Sequence, residues 1–91
     1  MEYYNYCVNS IKYKTKAIKQ LSKLPKNDSK KIVLACSDLA NMPNCRNVKA
    51  LVNQQDEYRL RVGNYRVLFD FDGVVRIIHI EEVKKRDEST Y

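Results

Sequence analysis

The chain has 91 residues, of which 44% are hydrophobic and 31% charged, and its net charge is +6. This length allows one small domain, near the lower limit for a self-sufficient core, and we expect a single domain over residues 1–91. No apolar run approaches the roughly 20 residues that span a bilayer. Residues 1–6 lack the basic start and apolar centre of a secretory signal. We therefore expect a cytoplasmic protein without membrane association.

The metal-binding and disulfide-forming residues are few. There are three cysteines, at positions 7, 36 and 45, and one histidine. An odd number of cysteines without paired spacing predicts neither a disulfide nor a zinc site. Cys36 falls within an apolar helical pattern, so we expect it to be a small buried residue. We expect no metal and no cofactor.

Lysine and arginine are divided unevenly along the chain. Eight of the eleven lysines lie in residues 1–45, which contain no arginine, whereas all six arginines lie in residues 46–91. A lysine-rich helix surface is usually only solvated. Arginine restricted to one half is more informative, because its planar guanidinium group suits phosphate and stacks on bases. Surface arginines selected for solubility are the alternative.

Two helices are predicted in the first half, after a loosely alternating strand at residues 6–13. Thr15 is a candidate cap for the first helix, which Pro25 ends. Residues 27–29 supply capping side chains for the second helix, which Pro43 ends. The apolar stripes of the two helices are Ala17, Ile18, Leu21 and Leu24, and then Ile32, Val33, Ala35, Cys36, Leu39 and Ala40. The helices should form an antiparallel hairpin with lysines outside.

Strands are predicted in the second half. They comprise a short strand at 48–52, a hairpin at 58–62 and 65–71, and a last strand at 74–80, with a connector at 53–57 and a charged tail at 81–91. Asp72 and Gly73 are the strongest two-residue hairpin signal in the chain. The order β-α-α-β-β-β predicts an α+β fold, in which an antiparallel sheet carries an α-helical hairpin on one face.

The predicted hairpin alternates guanidinium groups with apolar residues. Side chains of a strand point alternately to two faces, so Arg59 and Arg61 share one face and the apolar residues share the other. Beyond the turn, Arg66 lies on the arginine side, while Tyr65 and Phe69 belong to the core. Like charges gathered so closely repel one another. A concentrated anion, most simply a phosphate backbone, is therefore a natural partner.

The order of elements, this arginine-bearing hairpin and a basic ending that closes on Tyr91 resemble the RelE/ParE toxin superfamily of bacterial type II toxin–antitoxin modules. The resemblance covers residues 10–91 and leaves residues 1–9 as an N-terminal extension. It implies a small toxin that a cognate antitoxin holds inactive. RelE-type members enter the ribosomal A site and cleave mRNA there through attack of a ribose 2′-OH on the adjacent phosphate. ParE-type members share the fold but poison DNA gyrase.

The resemblance implies catalytic roles for four residues in a metal-independent endoribonuclease. Arg61 and Arg66 occupy positions where RelE-type toxins grip the scissile phosphate, and Arg86 would add a third charge. Tyr91 would stack on a base or donate to the leaving oxygen. For the arginines, the alternative is an exposed cation paired with a nearby aspartate, Asp70 or Asp87.

Further residues are predicted to bind RNA or to assist its cleavage. The RNA-binding set is Lys49, Arg59, Lys84 and Lys85. A solvated side chain is the alternative for Lys49. His79 lies within an apolar strand, where a lone histidine is more often packed than catalytic, and we keep it as a reserve acid/base.

Three functions remain open from the sequence. The first is a ribosome-dependent mRNA endonuclease, with a cognate antitoxin, the ribosome and mRNA as partners. The second is a gyrase poison, and the third is a nucleic-acid-binding module or an inactive toxin homologue that only binds antitoxin. The arginine cluster favours the first, because a gyrase poison needs no set of residues that grips phosphate.

Overall fold

The computed structural model describes residues 9–51 and 57–85. Their elements, in chain order, are β1 (Ser10–Tyr13), α1 (Thr15–Ser22), α2 (Lys26–Ser37), a 3₁₀ helix (Asp38–Asn41), β2 (Val48–Ala50), β3 (Glu57–Val62), β4 (Tyr65–Asp72) and β5 (Ile77–Lys85). Four strands follow the helices, in agreement with the four individual strand predictions, whereas the order β-α-α-β-β-β counts only three of them. None of the described helices has the length and apolar character needed to cross a membrane.

The five strands form one sheet in the order β1-β5-β4-β3-β2. The neighbours from β2 to β5 are antiparallel, but β1 runs parallel to β5, with Ile11 opposite Ile78. The prediction of an α+β fold with two helices on a sheet is confirmed, and the sheet is mixed at β1. Parallel neighbours need a long connection, and all the elements between β1 and β5 provide it.

The helix starts differ from those predicted. The residue before α1 is Lys14 and the residue before α2 is Pro25, and neither makes a side-chain cap. Thr15 is already helical, so its prediction as a cap was wrong. Residues 27–29 lie inside α2 instead of capping it. Ser29 Oγ donates to the Leu21 carbonyl at 2.7 Å, which ties α2 to α1.

The core lies between the two helices and one face of the sheet. Its fully buried large side chains are Phe69, Ile32, Leu39, Ile78, Ile80, Val67 and Cys36. The buried positions of Cys36, Tyr65 and Phe69 confirm the predictions for them. The helix stripes are narrower than predicted, since Ile18 is 54% exposed and Val33 is 44% exposed.

The turn between β4 and β5 is longer than the predicted two residues. Asp72 Oδ1 accepts the N–H groups of Val74 at 2.9 Å and Val75 at 3.2 Å, which holds both valines in the loop. The last strand therefore begins at Ile77 instead of residue 74. It continues to Lys85, through five residues predicted as a tail, because β4 pairs with it along its whole length.

The register of β5 shifts beside Leu68 and Phe69 of β4. Ile80 pairs with Phe69 and Glu82 with Leu68, so Glu81 is the extra residue of a β-bulge. The bulge changes the alternation of side chains: Ile80 and Val83, three residues apart, are both buried. Lys84 consequently lies on the sheet face opposite the helices.

Asn9 anchors the start of β1. It is 3% exposed, and its Nδ2 donates to the carbonyls of Leu39, Ala40 and Met42 at 3.3, 3.0 and 3.2 Å. These bonds hold the end of the 3₁₀ helix against the sheet. Asn9, predicted within the N-terminal extension, is thus packed with the core, and residues 1–8 of that extension lie outside the described residues.

Candidate nucleic-acid interface

The sheet face opposite the helices carries a set of cations. On β4 the side chains of Tyr65, Val67 and Phe69 are buried toward the helices, so Arg66 and Leu68 lie on the other face. Cross-strand partners share a face, which extends the set to neighbouring strands. We call Lys49, Arg59, Arg61, Arg66 and Lys84 the cationic face.

Three members of the cationic face stand in one row across three strands. Arg61 of β3 is directly opposite Arg66 of β4, and Arg66 is directly opposite Lys84 of β5. Side chains at such positions start about 4.5–5.5 Å apart. The next row contains Lys49 opposite Arg59, two residues farther along β3. Sequence-distant cations are therefore brought together in the described structure.

Nearby carboxylates are held by other lysines at the edge of the sheet. Lys14 Nζ lies 3.4 Å from Glu81 Oε1, and Lys16 Nζ lies 3.4 Å from Glu82 Oε1. Arg61 is exposed and forms no ion pair with a carboxylate of the described residues. Like charges placed directly opposite each other are unfavourable, so an anion from another molecule would relieve this row.

Arg59 has a buried donor. Its Nε is shielded from solvent and forms no hydrogen bond with any of the described residues. A buried N–H without an acceptor costs about 1–3 kcal/mol, so its presence requires an explanation, of which a functional role is one. The half-buried Arg59 therefore contributes a cation at the expense of an unsatisfied hydrogen bond.

Lys85 lies apart from the cationic face. It is opposite Tyr65, whose ring is buried toward the helices. Together with Gln20, Lys23 and Leu24, it lines a cavity of about 480 Å³ at the edge of β5. The Tyr65 hydroxyl donates to Asp28 Oδ2 of α2 at 2.7 Å. Lys84 and Lys85, predicted as members of one RNA-binding set, thus lie on opposite faces of the sheet, although both contribute to the lining of this cavity.

His79 lies on the same sheet face, but farther along it. It stands opposite Asp70 of β4 and Lys12 of β1. Asp70 is four residues from Arg66, which corresponds to about 13 Å along the strand. His79 therefore does not adjoin the Arg61–Arg66 row. Arg86 and Tyr91 lie outside the described residues, so their predicted roles remain predictions.

Three groups of the described residues have a raised pKa: Cys36 and Tyr13 lie on the helix side, and Cys45, in the loop after the 3₁₀ helix, is shifted by burial and by Asp38. Burial raises the pKa of the Cys36 thiol to about 11, and burial also raises the pKa of the Tyr13 hydroxyl. Both groups are therefore protonated at neutral pH and are not suited to act there as bases. Among the described residues, no three His, Cys, Asp or Glu side chains are grouped to hold a metal ion.

A polar cavity beside Arg61 was missed by the sequence reasoning. It has a volume of about 370 Å³, and Asn41, Asn44, Arg46 and Asn47 contribute to its lining. Three asparagines within seven residues were a signal in the sequence. Their loop was interpreted only as a polar connection between the helices and the sheet.

A family model covers most of the chain. The model described as "ParE toxin of type II toxin-antitoxin system, parDE" matches residues 11–89. No curated protein sequence matches the chain.

Solved structures of RelE proteins share its fold. The archaeal RelE-RelB complex from Pyrococcus horikoshii OT3 is 26% identical, with a TM-score of 0.77 over 90% of this chain and 99% of that chain. The toxin-antitoxin complex RelBE2 from Mycobacterium tuberculosis is 28% identical, with a TM-score of 0.76 over 87% of this chain and 99% of that chain. The isolated E. coli RelE toxin is 15% identical, with a TM-score of 0.74 over 90% of this chain and 88% of that chain, a likeness of fold alone.

Proposed function

Because the chain belongs to the ParE toxin family of type II toxin–antitoxin systems, we propose that it is a toxin that cleaves mRNA in the ribosomal A site and so inhibits translation. The observation that carries this proposal is the row formed by Lys84, Arg66 and Arg61 on adjacent strands. A phosphate placed on this row meets two guanidinium groups and an ammonium group. Such an arrangement suits a reaction in which a phosphate gains negative charge.

The proposed reaction needs no metal or cofactor. The ribose 2′-oxygen forms a bond to the adjacent phosphorus, and the bond from phosphorus to the 5′-oxygen breaks. The 2′-OH loses its proton to a base and the 5′-oxygen gains a proton, which leaves a 2′,3′-cyclic phosphate and a 5′-OH. Arg61 and Arg66 bind the phosphate oxygens, and Lys84 adds a third positive charge. Holding the nucleotide for in-line attack contributes further.

The second row of the cationic face has a binding role. Arg59 and Lys49 adjoin the catalytic row on the same face and would contact a neighbouring phosphate of the RNA backbone. Arg86 and Tyr91 keep the roles that the family resemblance implies. Arg86 adds a further charge at the phosphate, and Tyr91 stacks on a base or donates a proton to the leaving oxygen. Because His79 lies about 13 Å along the strand from the row, we do not assign it the proton transfer.

We also propose a cognate antitoxin as a partner. The similar solved structure from Mycobacterium tuberculosis is a toxin-antitoxin complex, and the one from Pyrococcus horikoshii is a RelE-RelB complex. The cationic face would attract acidic side chains of such a partner, and an antitoxin seated there would keep RNA away. The complex should accordingly weaken as salt increases.

Substitution of Arg61 and Arg66 tests the nuclease proposal. The double variant Arg61→Ala/Arg66→Ala should lower ribosome-dependent cleavage at least about 100-fold, as loss of single transition-state donors does in other enzymes. Primer extension on an mRNA translated by purified ribosomes measures the cleavage. The matched control is Arg76→Asn, which removes an arginine from the far β4–β5 turn, and asparagine accepts the positive φ of 58° there. Cleavage that persists in the double variant rejects the assignment.

A gyrase poison is the second candidate, because the matching family model is that of ParE toxins. This function predicts DNA damage on expression while the mRNA stays intact. A plasmid cleavage assay with purified DNA gyrase, run beside the primer extension, separates the two candidates. Trapped double-strand breaks without mRNA cuts would favour the poison, and neither activity would indicate a homologue that only binds antitoxin.

A further inference from the structure

The polar cavity of about 370 Å³ lies where the loop after the 3₁₀ helix meets β3. One part of its lining is polar and is provided by Asp38, Asn41, Asn44, Cys45, Arg46 and Asn47. Leu39 and Leu60, both buried, provide an apolar part. A planar aromatic ring with polar groups at its edge, such as a nucleobase, fits a cavity with both polar and apolar walls better than an ion or an aliphatic chain does.

The loop that carries the asparagines is fixed by backbone hydrogen bonds. The Asn44 N–H donates to the Asn41 carbonyl at 2.9 Å, and the Arg61 N–H donates to the Asn47 carbonyl at 3.0 Å. Asn47 has a φ of 62°, a left-handed conformation that asparagine adopts more readily than most residues. The three bonds of Asn9 Nδ2 hold the preceding turn. The cavity is therefore preorganised, which lowers the cost of binding.

The polar groups of this lining have capacity for a ligand. Within the described part of the chain, the amide groups of Asn41, Asn44 and Asn47 make no side-chain hydrogen bond, and Arg46 makes no ion pair. An amide both donates and accepts, which suits the N6 and N7 edge of adenine. A guanidinium group suits the O6 and N7 edge of guanine. The Asp38 carboxylate, also in the lining, accepts from the amino groups that adenine, guanine and cytosine carry and uracil lacks. The amide and guanidinium groups of the lining therefore favour purines, and Asp38 disfavours uracil.

Arg61 connects this cavity to the cationic face. It lines the cavity and stands directly opposite Arg66. We propose that the cavity binds the purine base of the nucleotide next to the phosphate held by Arg61, and so sets a base preference for cleavage. The inference rests on the proposed nuclease function for the course of the RNA, but base binding itself requires no cleavage.

Binding of uncleavable RNA tests the cavity directly. The probes are 2′-O-methyl tetranucleotides of A, G, C or U and an abasic tetramer of the same charge, titrated into the ¹⁵N-labelled full chain. We expect at least one purine tetramer to bind about fivefold or more tightly than the pyrimidine tetramers. The side-chain NH₂ signals of Asn41 and Asn44 should shift with it.

Two variants separate base binding from phosphate binding. Asn41→Ala/Asn44→Ala keeps the backbone bond between these residues and should remove the purine preference, with binding of the abasic tetramer unchanged. Asn27→Ala, which changes an exposed asparagine on α2, is the matched control and should keep the preference.

Near-equal binding of all four base tetramers and the abasic tetramer would overturn the inference, even for a protein that cleaves mRNA. A purine preference in a chain whose cleavage ignores Arg61 and Arg66 would reject the catalytic assignment and leave the base site standing. A preference for pyrimidines would contradict the assignment to purines.

Discussion

The helix-covered face of the sheet and its cationic face are made by the same strands, yet they differ in what satisfies their side chains. On the first, Val67, Phe69 and Ile78 are fully buried against other apolar groups. On the second, Arg61 is exposed and has no carboxylate partner among the described residues. The first face supplies the free energy of folding. The second holds charges that a bound anion would stabilise, so substitutions on the two faces should affect different measurements.

Phe69→Ala should have the largest effect on stability. The ring is fully buried and stacks on Tyr58, with ring centroids 5.5 Å apart. Its removal should lower the free energy of unfolding by about 3–5 kcal/mol, measured by urea denaturation. Leu68→Ala, the adjacent residue on the other face, is half-buried and should cost clearly less. Equal losses of unfolding free energy at the two positions would contradict the view that the helix-covered face stabilises the fold more than the cationic face does.

The pH dependence of stability should report on the helix-covered side. The pKa of Cys36 is raised from 9.0 to about 11 by burial. The native state therefore keeps this proton longer than the unfolded state, and the resulting stability is complete below pH 9 and lost as the pH rises toward 11. Cys36→Ala should remove about 1–2 kcal/mol of the decrease between pH 8 and pH 10.5. If Cys36→Ala lost as much free energy of unfolding between pH 8 and pH 10.5 as the unsubstituted protein, measured by urea denaturation at both pH values, the result would argue against a raised pKa of a buried thiol.

Tyr65→Phe should have a smaller effect at the border of the helix-covered side. It removes the hydroxyl that donates to Asp28 Oδ2 at 2.7 Å and leaves the buried ring in place. We expect a loss of about 1 kcal/mol in the free energy of unfolding. Tyr58→Phe serves as the comparison and should change stability by less than about 0.5 kcal/mol. Identical values for the two variants would show that the bond to Asp28 contributes nothing.

Arg59→Leu should leave the free energy of unfolding unchanged or raise it by up to about 1 kcal/mol, because it removes the buried Nε that finds no acceptor in residues 9–51 and 57–85. The same variant should bind RNA less tightly. Arg61→Leu, at an exposed position of the same face, should alter stability by less than about 0.5 kcal/mol. A clear loss of stability in Arg59→Leu would mean that Arg59 supports the fold, and that its place on the cationic face is not a functional one.

The hairpin of β3 and β4 could be predicted from the sequence almost to the residue. Its predicted strands, 58–62 and 65–71, are observed as Glu57–Val62 and Tyr65–Asp72. Alternation is a local property, and the turn between the strands contains Gly63, whose φ is 56°. The same alternation correctly placed Arg59, Arg61 and Arg66 on one face.

The β4–β5 turn and the end of β5 could not be read from local pattern. Val74 and Val75 have strand propensity, but the Asp72 side chain accepts their N–H groups and keeps them in a loop. The strand beyond Ile80 forms because distant residues of β4 pair with it. Consecutive residues of a strand point to opposite faces, but which of Lys84 and Lys85 joins the cationic face depends on the register shift in that pairing, which no single-strand pattern indicates.

The extra residue at Glu81 reverses the alternation of side chains along β5, so that the two halves of the strand present different sets of residues to the core. Up to Ile80 the even-numbered positions are apolar and inward, whereas beyond the bulge the inward position is the odd-numbered Val83. One inserted residue thus lets a single strand close the core with its first half and present an ammonium group to a phosphate with its second. In the evolution of such a chain, loss of one codon here would exchange inside for outside over the remaining strand, so the length of this segment is as informative as its composition.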